Sequence, residues 1–346
     1  MNILLDIAHP SQAHLFHAFA NLAKSRGHAV TILGREKDCT NRLLRSWGLA
    51  PQNSTIARHG LLGNFREMLM RDLTLWRMAR ETRADVILGT PPSVAHAGCL
   101  LRTPRFIVNE DDADVVPQLV WSAYPFATGV IAPECVRLGR WKKRHVPYRG
   151  CQKLAYLHPN HFTADPQMPR KLGLGADKPY AVVRLTAFSA YHDRNQRGLD
   201  ATQVAGLIGG LSRRYRVCIT TESELPPQFE ALRLDIPEES IHHVLAGAAL
   251  FAGDSQSMTT ESALLGVPAF RCNTFAGKSS VMEQLENDYD LLRSFTPDRF
   301  DDMMQAIDAL PPPAEAKKLW RDRRDRYVAD SVDVTSWLLD FVERGR

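Results

Sequence analysis

Residues 253–266 read Gly-Asp-Ser-Gln-Ser-Met-Thr-Thr-Glu-Ser-Ala-Leu-Leu-Gly. A short apolar run comes immediately before this stretch, and Gly266 and Pro268 end the helical pattern, so we predict that a buried strand passes into a helix here. The first amides of a helix have no intrahelical acceptor, and the helix dipole places partial positive charge at that end. The junction therefore predicts an anion site at the carboxyl end of a strand.

The candidate ligand-binding residues of this junction are Asp254, Ser255, Gln256, Ser257, Met258, Thr259 and Glu261. Amides and hydroxyls of Ser255, Gln256 and Ser257 would surround a phosphate. Glu261 would lie one turn inside the helix, where its carboxylate can accept both hydroxyls of a ribose if the anion is a nucleotide. The alternative is structural: Ser257 caps the helix and Glu261 favours its first turn.

The composition is that of an ordinary globular protein. With 346 residues, the chain is long enough for two domains that each bury a core. Charged residues make up 24% of the chain and the net charge is only +4, so the composition carries no strong signal for a polyanionic partner. We expect no nucleic acid to bind.

Cysteine spacing and hydropathy argue against several protein classes. The six cysteines are Cys39, Cys99, Cys135, Cys151, Cys218 and Cys272. They include no Cys-x-x-Cys pair, which predicts neither a zinc site nor a disulfide scaffold and favours a cytoplasmic setting. The N-terminus lacks the features of a signal peptide, and no apolar run approaches the roughly 18 residues of a membrane helix. Any membrane contact is therefore expected to be peripheral, at the inner membrane face.

Strands and helices alternate along the first half of the chain. Strands are predicted at 2–8, 29–33, 84–89, 105–109 and 129–133. The helical period at 10–26 joins the first two strands, which makes a β-α-β unit with parallel strands. Its first loop reads Ala-His-Pro-Ser-Gln-Ala-His, not the Gly-x-Gly-x-x-Gly of a dinucleotide site, so a nicotinamide cofactor is not expected.

Two loops of this half carry candidate catalytic residues. His9 follows the first strand, where ligands of open parallel sheets bind, and is the leading candidate for an imidazole base. Its alternative role is to cap or turn the chain. After the strand at 105–109, Glu110 and Asp111 could act as a base or bind sugar hydroxyls, or the acidic turn could simply be solvated.

Two further segments are amphipathic or basic. A helix is predicted at 64–83, and we expect its apolar stripe to pack in the core, with a membrane-facing surface as the alternative. The stripe consists of Phe65, Leu69, Leu73 and Trp76. Residues 136–150 carry six basic side chains and no acidic one around Trp141, which suits either an anionic membrane or a solvated loop.

The second half repeats the alternation after a proline-rich segment at 156–178, which we interpret as a hinge. Strands are predicted at 180–185, 216–221, 249–253 and 267–272, with a helix at 202–214. Thr296 and Pro297 are predicted to cap and begin another helix, and 314–343 is predicted to be helical. The expected domains are 1–160 and 161–320, followed by a helical segment at 321–346.

Two such halves imply a cleft between facing strand ends, where ligands bind. Arg184 lies near the end of the first strand of the second half, and its guanidinium is a candidate partner for a pyrophosphate. A structural ion pair is its alternative role. Ser189 and His192 follow in the same loop as candidate ligand contacts, and His192 could instead be solvated.

Over residues 1–310 the chain resembles the GT-B architecture, an α/β fold of two Rossmann-like domains facing each other across a cleft. Three stretches carry the resemblance: Asn-Ile-Leu-Leu-Asp-Ile-Ala-His-Pro near the start, Val-Val-Arg-Leu at 182–185, and the junction at 253–268. They are similar to an uncharacterised bacterial and archaeal family related to the non-hydrolysing UDP-N-acetylglucosamine 2-epimerases and the UDP-sugar glycosyltransferases.

The resemblance implies roles for individual residues. In the epimerases a similar Gly-Asp-Ser-Gly-Gly-x-x-x-Glu stretch binds the diphosphate and the ribose, which implies phosphate contacts at Ser255 and Ser257 and a ribose contact at Glu261. Gln256 and Ser257 stand here in place of the two glycines. An aspartate of the epimerases is replaced by Thr90, whereas Glu110 matches the position of their later glutamate.

The expected function is that of a metal-independent glycosyltransferase with a UDP-sugar donor, acting in surface polysaccharide or glycolipid synthesis on a sugar or lipid-linked acceptor. The nucleotide sugar is a substrate, and no cofactor is expected. A transferase needs one base for the acceptor hydroxyl, and it needs positive charge to stabilise the departing diphosphate. An epimerase, and a non-catalytic nucleotide-sugar-binding assembly protein, are the alternatives, and the sequence makes no prediction of the oligomeric state.

Overall fold

The computed structural model describes residues 1–36, 39–57, 60–175, 177–186, 198–221 and 224–345. Its contacts divide the chain into two compact units. The first unit consists of Met1–His161 and Ser331–Arg346, and the second unit consists of Phe162–Asp330. In each unit helices are connected to the strands of one parallel sheet, which is the Rossmann-like arrangement.

The first unit has seven strands: β1 (Asn2–Asp6), β2 (Ala29–Glu36), β3 (Asn53–Ile56), β4 (Val86–Gly89), β5 (Arg105–Val108), β6 (Gly129–Pro133) and β7 (His145–Tyr148). All pair in parallel, in the order β3-β2-β1-β4-β5-β6-β7. The order reverses between β1 and β4, and the carboxyl ends of these two strands form the topological switch point of the sheet.

Its helices up to the end of the first segment are α1 (Pro10–Ser25), α2 (Thr40–Ser46), α3 (Leu61–Glu81), α4 (Pro92–Leu101), α5 (Pro117–Ala123) and α6 (Leu154–Leu157). A 3-10 helix, Gly139–Arg144, precedes β7. No helix in the described parts of the chain is both long enough and apolar enough to cross a membrane.

The second unit has five parallel strands: β8 (Tyr180–Leu185), β9 (Arg216–Thr221), β10 (Leu250–Gly253), β11 (Ala269–Cys272) and β12 (Arg293–Phe295). Their order is β12-β11-β10-β8-β9, so the switch point lies between β8 and β10. The predicted strands at 180–185 and 216–221 are confirmed. Their buried apolar runs are those expected of parallel strands that are covered on both faces.

The helices of the second unit are α7 (Met168–Lys171), α8 (Ala201–Ser212), α9 (Ile241–Gly247), α10 (Gln256–Leu264), α11 (Ser280–Asn287), α12 (Phe300–Asp308) and α13 (Pro313–Asp330). The predicted helix start at Thr296 is confirmed in position. Thr296 is the N-cap residue of a 3-10 turn, Pro297–Arg299, which begins with Pro297 and leads directly into α12, but the Thr296 side chain makes no capping hydrogen bond.

The final helix, α14 (Val334–Arg344), belongs to the first unit. Its cap residue Asp333 accepts hydrogen bonds from the Ser336 amide at 3.1 Å and from His161 Nε2 at 2.7 Å. Thr335 donates to the carbonyl oxygen of Ala155 at 2.7 Å. These polar contacts fix the end of the chain against α6 and the residues that follow it.

The predicted helix is confirmed as α3, but the prediction that its stripe of Phe65, Leu69, Leu73 and Trp76 packs in the core is wrong. Phe65 and Leu69 are 57% and 50% exposed, and Leu73 is also exposed, so the stripe lies on the solvent side. The buried positions of the same helix include Glu67 and Arg71. The inward face of α3 is therefore partly ionic.

The physical reason is a buried carboxylate at the end of β1. Asp6 is inaccessible to solvent, and Arg71 forms an ion pair with it. The same guanidinium donates to the carbonyl oxygen of Gly34 at 3.0 Å and to Thr55 Oγ1 at 2.6 Å. Because a buried charge needs a partner, α3 presents its arginine to the sheet, and the apolar stripe points outward.

We predict that Arg71→Met lowers the free energy of unfolding by about 3–5 kcal/mol, because Asp6 would stay buried without its cation. Leu69→Ala on the same helix is the matched control and should cost less than about 1 kcal/mol, since Leu69 is exposed. Urea denaturation of both variants measures the difference. Adding Asp6→Asn to Arg71→Met should recover part of the loss, and equal losses in the two single variants would contradict the interpretation.

Candidate functional site

The anion site predicted from the sequence lies where β10 passes into α10. Gly253 ends the strand, and a side chain at this position would collide with the carbonyl oxygen of Arg184, so only glycine fits. The helix begins at Gln256, and its cap is Ser255, whose Oγ accepts from the Met258 amide at 3.4 Å. The alternative interpretation, in which Ser257 is the cap, is wrong because Ser257 already lies in the first turn.

This arrangement determines which amides face outward from the helix. The amides of Gln256 and Ser257 are the first two of α10 and by helix geometry have no acceptor within it. Both residues are half-buried. With the helix dipole behind them, the two amides can bind two oxygens of one anion.

Asp254 joins the ends of three strands at this point. Its Oδ1 accepts from the amide of Thr186 at 2.8 Å and from Thr186 Oγ1 at 2.9 Å. Its backbone amide donates to the Arg184 carbonyl oxygen at 3.1 Å, and its own carbonyl oxygen accepts from Asn273 Nδ2 at 2.6 Å. The carboxyl ends of β8, β10 and β11 are thereby held in one geometry.

The carboxyl group of Asp254 is buried, and burial raises its pKa to about 6. Hydrogen bonds from Thr186 and the charge of Arg184 oppose this rise, because both favour the ionised form. Asp254 therefore has a structural role as an acceptor, and its charge works against an anion at the neighbouring helix end.

Arg184 supplies a compensating cation at the switch point. It lies near the end of β8, in register with Gly253 on one side and Thr220 on the other. Its Nη1 donates to Thr220 Oγ1 at 3.1 Å. The side chain is half-buried, which leaves a guanidinium near the strand ends where a pyrophosphate would bind.

A second cation, Arg271 on β11, was not identified from the sequence. Its side chain is only 1% exposed, yet Nη1 reaches Gln256 Oε1 at 3.2 Å and Nη2 reaches Ser294 Oγ at 3.2 Å. Burial lowers the pKa of this guanidinium to about 10, and Glu286 opposes the shift, so the group is protonated at neutral pH. A positive charge is therefore held beside the first residue of α10. The sequence signal is an arginine inside the buried run Val-Pro-Ala-Phe-Arg-Cys.

Glu261 lies inside α10 and is buried. Its Oε1 is 3.5 Å from Nε2 of His242, which belongs to α9. The ring of His242 in turn packs against Phe162, with a centroid distance of 6.0 Å. The Glu261 carboxylate, which is predicted to accept the ribose hydroxyls, therefore lies beside the imidazole of His242.

The sequence also predicts ligand contacts at Thr259, Met258, Ser189 and His192. Thr259 is buried, and its hydroxyl donates to the Ser255 carbonyl oxygen at 2.6 Å, so this hydroxyl is satisfied within the helix. Met258 is half-buried. Ser189 and His192 lie outside the described residues.

A cavity of about 240 Å³ adjoins Asp254 at the carboxyl edge of the sheet. Its polar lining includes Thr186 and Thr221, and its apolar lining includes Leu225 and Phe229. A hollow of about 450 Å³ lies at the amino end of β8, lined by Tyr180 and Lys317. We favour the smaller cavity as part of the ligand site because ligands of open parallel sheets bind at the carboxyl ends.

In the first unit, His9 follows β1 at the switch point and caps α1. Its Nδ1 accepts from the Ser11 amide at 3.2 Å and lies 2.9 Å from Ser11 Oγ. The ring is exposed. The capping role proposed as an alternative is therefore confirmed, and it holds the imidazole in a defined orientation beside the carboxyl ends of the strands.

Two of the acidic residues after β5 are bound to basic ones. Glu110 forms an ion pair with Lys153 and accepts from the Gln152 amide at 3.1 Å. Asp112 is buried and pairs with Arg137 at 3.0 Å. The alternative of a solvated acidic turn is wrong for these two carboxylates, because each is satisfied by the chain that follows.

Asp111 lies between these two carboxylates and is half-buried. Its carbonyl oxygen accepts from Asn109 Nδ2 at 2.9 Å. Within the described part of the chain, no three histidine, cysteine, aspartate or glutamate side chains gather in a way that could hold a metal ion.

No protein-family model and no curated protein matches the sequence. Solved structures do match it over nearly the whole length. The UDP-GlcNAc 2-epimerase of Neisseria meningitidis bound to UDP-GlcNAc superposes with a TM-score of 0.68 at 10% identity, and the match covers 100% of both chains. MnaA of S. aureus in complex with UDP gives a TM-score of 0.66 at 11% identity, covering 97% of this chain and 94% of that one.

The spinosyn rhamnosyltransferase SpnG superposes with a TM-score of 0.60 at 12% identity, covering 99% of this chain and 100% of that chain. At these identities the similarity establishes the fold. The protein therefore has the GT-B type of α/β fold with two Rossmann-like domains, as the sequence predicted. Nucleotide-sugar epimerases and glycosyltransferases both occur among the proteins that share it.

We predict that Asp254 makes the stability of the protein depend on pH. Its pKa is raised from the usual 3.8 to about 6, so the native state holds this proton more tightly than the unfolded chain does. The free energy of unfolding should fall as the pH rises from about 4 to about 6, by an amount on the order of 2 kcal/mol. Asp254→Asn keeps an oxygen for the Thr186 bonds and should remove this slope.

Chemical denaturation at several pH values checks the slope in the two proteins. Asp322→Asn, at an exposed position on α13, is the matched control and should keep the wild-type slope. An unchanged slope in Asp254→Asn would show that other groups cause the pH dependence.

Proposed function

We propose that the protein is a GT-B glycosyltransferase that uses a nucleotide-sugar donor, a UDP-sugar, in the synthesis of a surface polysaccharide or glycolipid. The observation that carries the proposal is the start of α10, where two amides open the helix beside the buried cation of Arg271. Arg184 adds a second guanidinium near the end of the neighbouring strand β8. One helix end and two cations suit the two phosphates of a nucleoside diphosphate.

In this proposal the protein groups themselves neutralise the departing diphosphate, and no metal ion is needed. The amides of Gln256 and Ser257 bind one phosphate, and Arg184 binds the other. Arg271 contributes positive charge through its contact with Gln256. Charge that develops on the leaving oxygen during transfer is stabilised by groups already in place, which lowers the barrier.

Glu261 is proposed to accept the ribose hydroxyls. Its carboxylate lies inside α10, on the same helix whose first amides bind the phosphate. Nε2 of His242 on α9 lies 3.5 Å from this carboxylate. The binding of UDP-GlcNAc by the Neisseria protein and of UDP by the S. aureus protein, both with this fold, supports a uridine nucleotide as the ligand class.

A transferase is favoured over an epimerase by the state of the acids in the first unit. Glu110 is paired with Lys153, and Thr90, which stands where the resemblance places an aspartate, donates its hydroxyl to the Val108 carbonyl oxygen at 2.8 Å. An epimerase must remove and return a proton on the sugar and needs positioned acids and bases. A transferase needs one base for the acceptor hydroxyl, and we propose His9 for it, with Glu110 and Asp111 as neighbouring acceptor contacts.

The epimerase remains the second candidate because of one observation. The superpositions on the Neisseria epimerase and on MnaA reach TM-scores of 0.68 and 0.66, against 0.60 for the rhamnosyltransferase. The two activities differ in what they require: an epimerase acts on UDP-GlcNAc alone, whereas a transferase requires an acceptor.

We predict that UDP stabilises the protein in a thermal-shift panel of nucleoside diphosphates and their sugars. A ligand at about 100 times its dissociation constant adds roughly 2.7 kcal/mol to the native state. Arg184→Gln should weaken UDP through the diphosphate and should affect uridine little, whereas Glu261→Gln should weaken both. Lys318→Gln, at an exposed position on α13, is the charge-matched control and should bind as the wild type does.

Three outcomes of that panel would change the assignment. If no nucleotide shifts the wild type, the site is an ordinary capped turn. If UDP binds and UDP-GlcNAc exchanges a sugar proton in deuterium oxide without an acceptor, the enzyme is an epimerase. Tight binding without turnover across many donors and acceptors would instead support a non-catalytic nucleotide-sugar-binding protein.

We predict that His9→Asn lowers kcat by about 100-fold or more and leaves the UDP shift unchanged. Asparagine keeps the capping acceptor at the start of α1, so the fold should lose little stability. Steady-state kinetics with the donor and acceptor, together with thermal unfolding, separate the two roles of His9. Full activity in His9→Asn would leave His9 as a cap only.

A further inference from the structure

Large apolar side chains are exposed together on one part of the first unit. We call this surface the apolar-basic face, and its apolar members are Phe65, Leu69, Met70, Leu73, Leu100, Trp121 and Phe126. Leu100 is 76% exposed and Trp121 is 60% exposed, so their side chains meet solvent and not a neighbouring helix. Single exposed apolar residues are ordinary, whereas a contiguous group of them marks an interaction surface.

Hydrogen bonds show that the helices that carry these side chains are neighbours. Asp72 Oδ2 on α3 lies 2.8 Å from Nδ1 of His96 on α4, and Nε2 of His96 lies 2.8 Å from the carbonyl oxygen of Ser122 on α5. The His96 ring also packs edge-on against Phe126, at 5.6 Å. Helices α3, α4 and α5 therefore lie side by side, with Leu73 next to Asp72 and Trp121 next to Ser122 in the chain.

Cations accompany these apolar side chains. The guanidinium of Arg140, in the 3-10 helix Gly139–Arg144, lies 3.9 Å above the ring of Trp121. Arg144 of the same helix donates to the Pro125 carbonyl oxygen at 3.1 Å, beside Phe126. The other exposed cations of these elements are Arg66, Arg77, Arg80, Lys142 and Lys143.

Acidic groups on the same elements are few. In α3, α4, α5 and the 3-10 helix they are Glu67, Asp72 and Glu81. Glu67 is buried against Arg35, at 2.5 Å, and Asp72 is bound to His96. Glu81 alone is exposed, at the last residue of α3. The face thus presents apolar side chains among positive charges.

We propose that the apolar-basic face docks the protein onto an anionic phospholipid bilayer. Tryptophan and leucine side chains enter the headgroup boundary, and arginine and lysine bind the lipid phosphates. A second copy of the chain is a poorer occupant. A two-fold contact would bring the same cations of both copies together, with almost no acid to offset them.

This inference goes beyond the proposed function and does not depend on it, because the face is argued from its own side chains. If the acceptor is lipid-linked, docking would hold the enzyme at the surface that carries its substrate.

The hydrogen bond to Asp72 raises the pKa of His96. The link between α3 and α4 therefore stays charge-assisted to a higher pH than it would with an isolated imidazole.

The test is flotation of the full chain with vesicles, without nucleotide. Vesicles of equimolar phosphatidylcholine and phosphatidylglycerol should carry the protein, pure phosphatidylcholine vesicles should carry much less, and added salt should weaken the binding. Lys142→Ala and Lys143→Ala should each lower the partition coefficient about fivefold. Leu69→Ser combined with Trp121→Ser should lower it more than tenfold.

Leu319→Ser is the matched control, because Leu319 is 41% exposed on α13 of the second unit and lies outside the face. Every variant is also checked by its UDP shift and its far-ultraviolet circular dichroism, so that misfolding is recognised. Binding of the face variants at the level of Leu319→Ser would overturn the proposal, as would equal binding to neutral and anionic vesicles.

Light scattering over a range of protein concentrations tests whether a second copy of the chain binds the face instead. If the wild type binds no vesicles but self-associates, and Leu69→Ser with Trp121→Ser abolishes that association, the face is a contact between copies of the chain. If UDP fails to bind while anionic vesicles do, only the proposed function falls, so the two proposals can fail separately.

Discussion

The first unit is built around a carboxylate that has no access to water. Asp6 ends the central strand β1, and both Arg71 of α3 and Ser93 of α4 reach it. Arg71 further contacts Gly34 of β2 and Thr55 of β3. One buried charge thus ties two helices to three strands at the switch point. Since leaving such a charge unpaired is costly, this pairing determines which side of α3 faces the sheet.

The orientation of α3 has a consequence at the surface. Its exposed apolar side chains, including Phe65 and Leu69, cannot face the core while Arg71 does, because they lie on the other side of the helix. They are exposed instead, on the apolar-basic face that also includes Trp121 and its cation Arg140. The buried ion pair of Asp6 and Arg71 therefore also explains why the apolar stripe of α3 is exposed.

A comparable acidic residue organises the second unit. Asp254 connects the ends of three strands through Thr186, Arg184 and Asn273, and the turn it stabilises aims the first amides of α10 away from the sheet. Its buried carboxyl is unfavourable for an anion. The guanidinium of Arg184 acts on this carboxyl, and that of Arg271 contacts Gln256 at the start of α10. The groups that are proposed to bind the nucleotide lie in this second unit. In the first unit, Glu110 is already paired with a lysine, which suits a reaction that asks for a single base.

The sequence alone was sufficient for the fold class, although it did not predict the edge strands β3, β7 and β12. Parallel strands that are covered on both faces require continuous apolar runs. Such runs, for example residues 180–185, are local features of the sequence. The junction at 253–266 was identifiable for the same reason, because a strand end, a cap and a helix-ending glycine are all coded within a few residues. Only the exact cap, Ser255 and not Ser257, was misjudged, by less than one helical turn.

The tertiary structure decided which polar groups meet. Arg71 is 65 residues from Asp6 in the chain, Lys153 lies far from Glu110, and Arg271 is 15 residues from Gln256, on the strand that follows α10. Hydrophobic periodicity shows that α3 has an apolar stripe, but it cannot show that a distant carboxylate needs the arginine on the opposite side. Local patterns fix elements, whereas the pairing of buried charges depends on contacts that form only once the elements have packed.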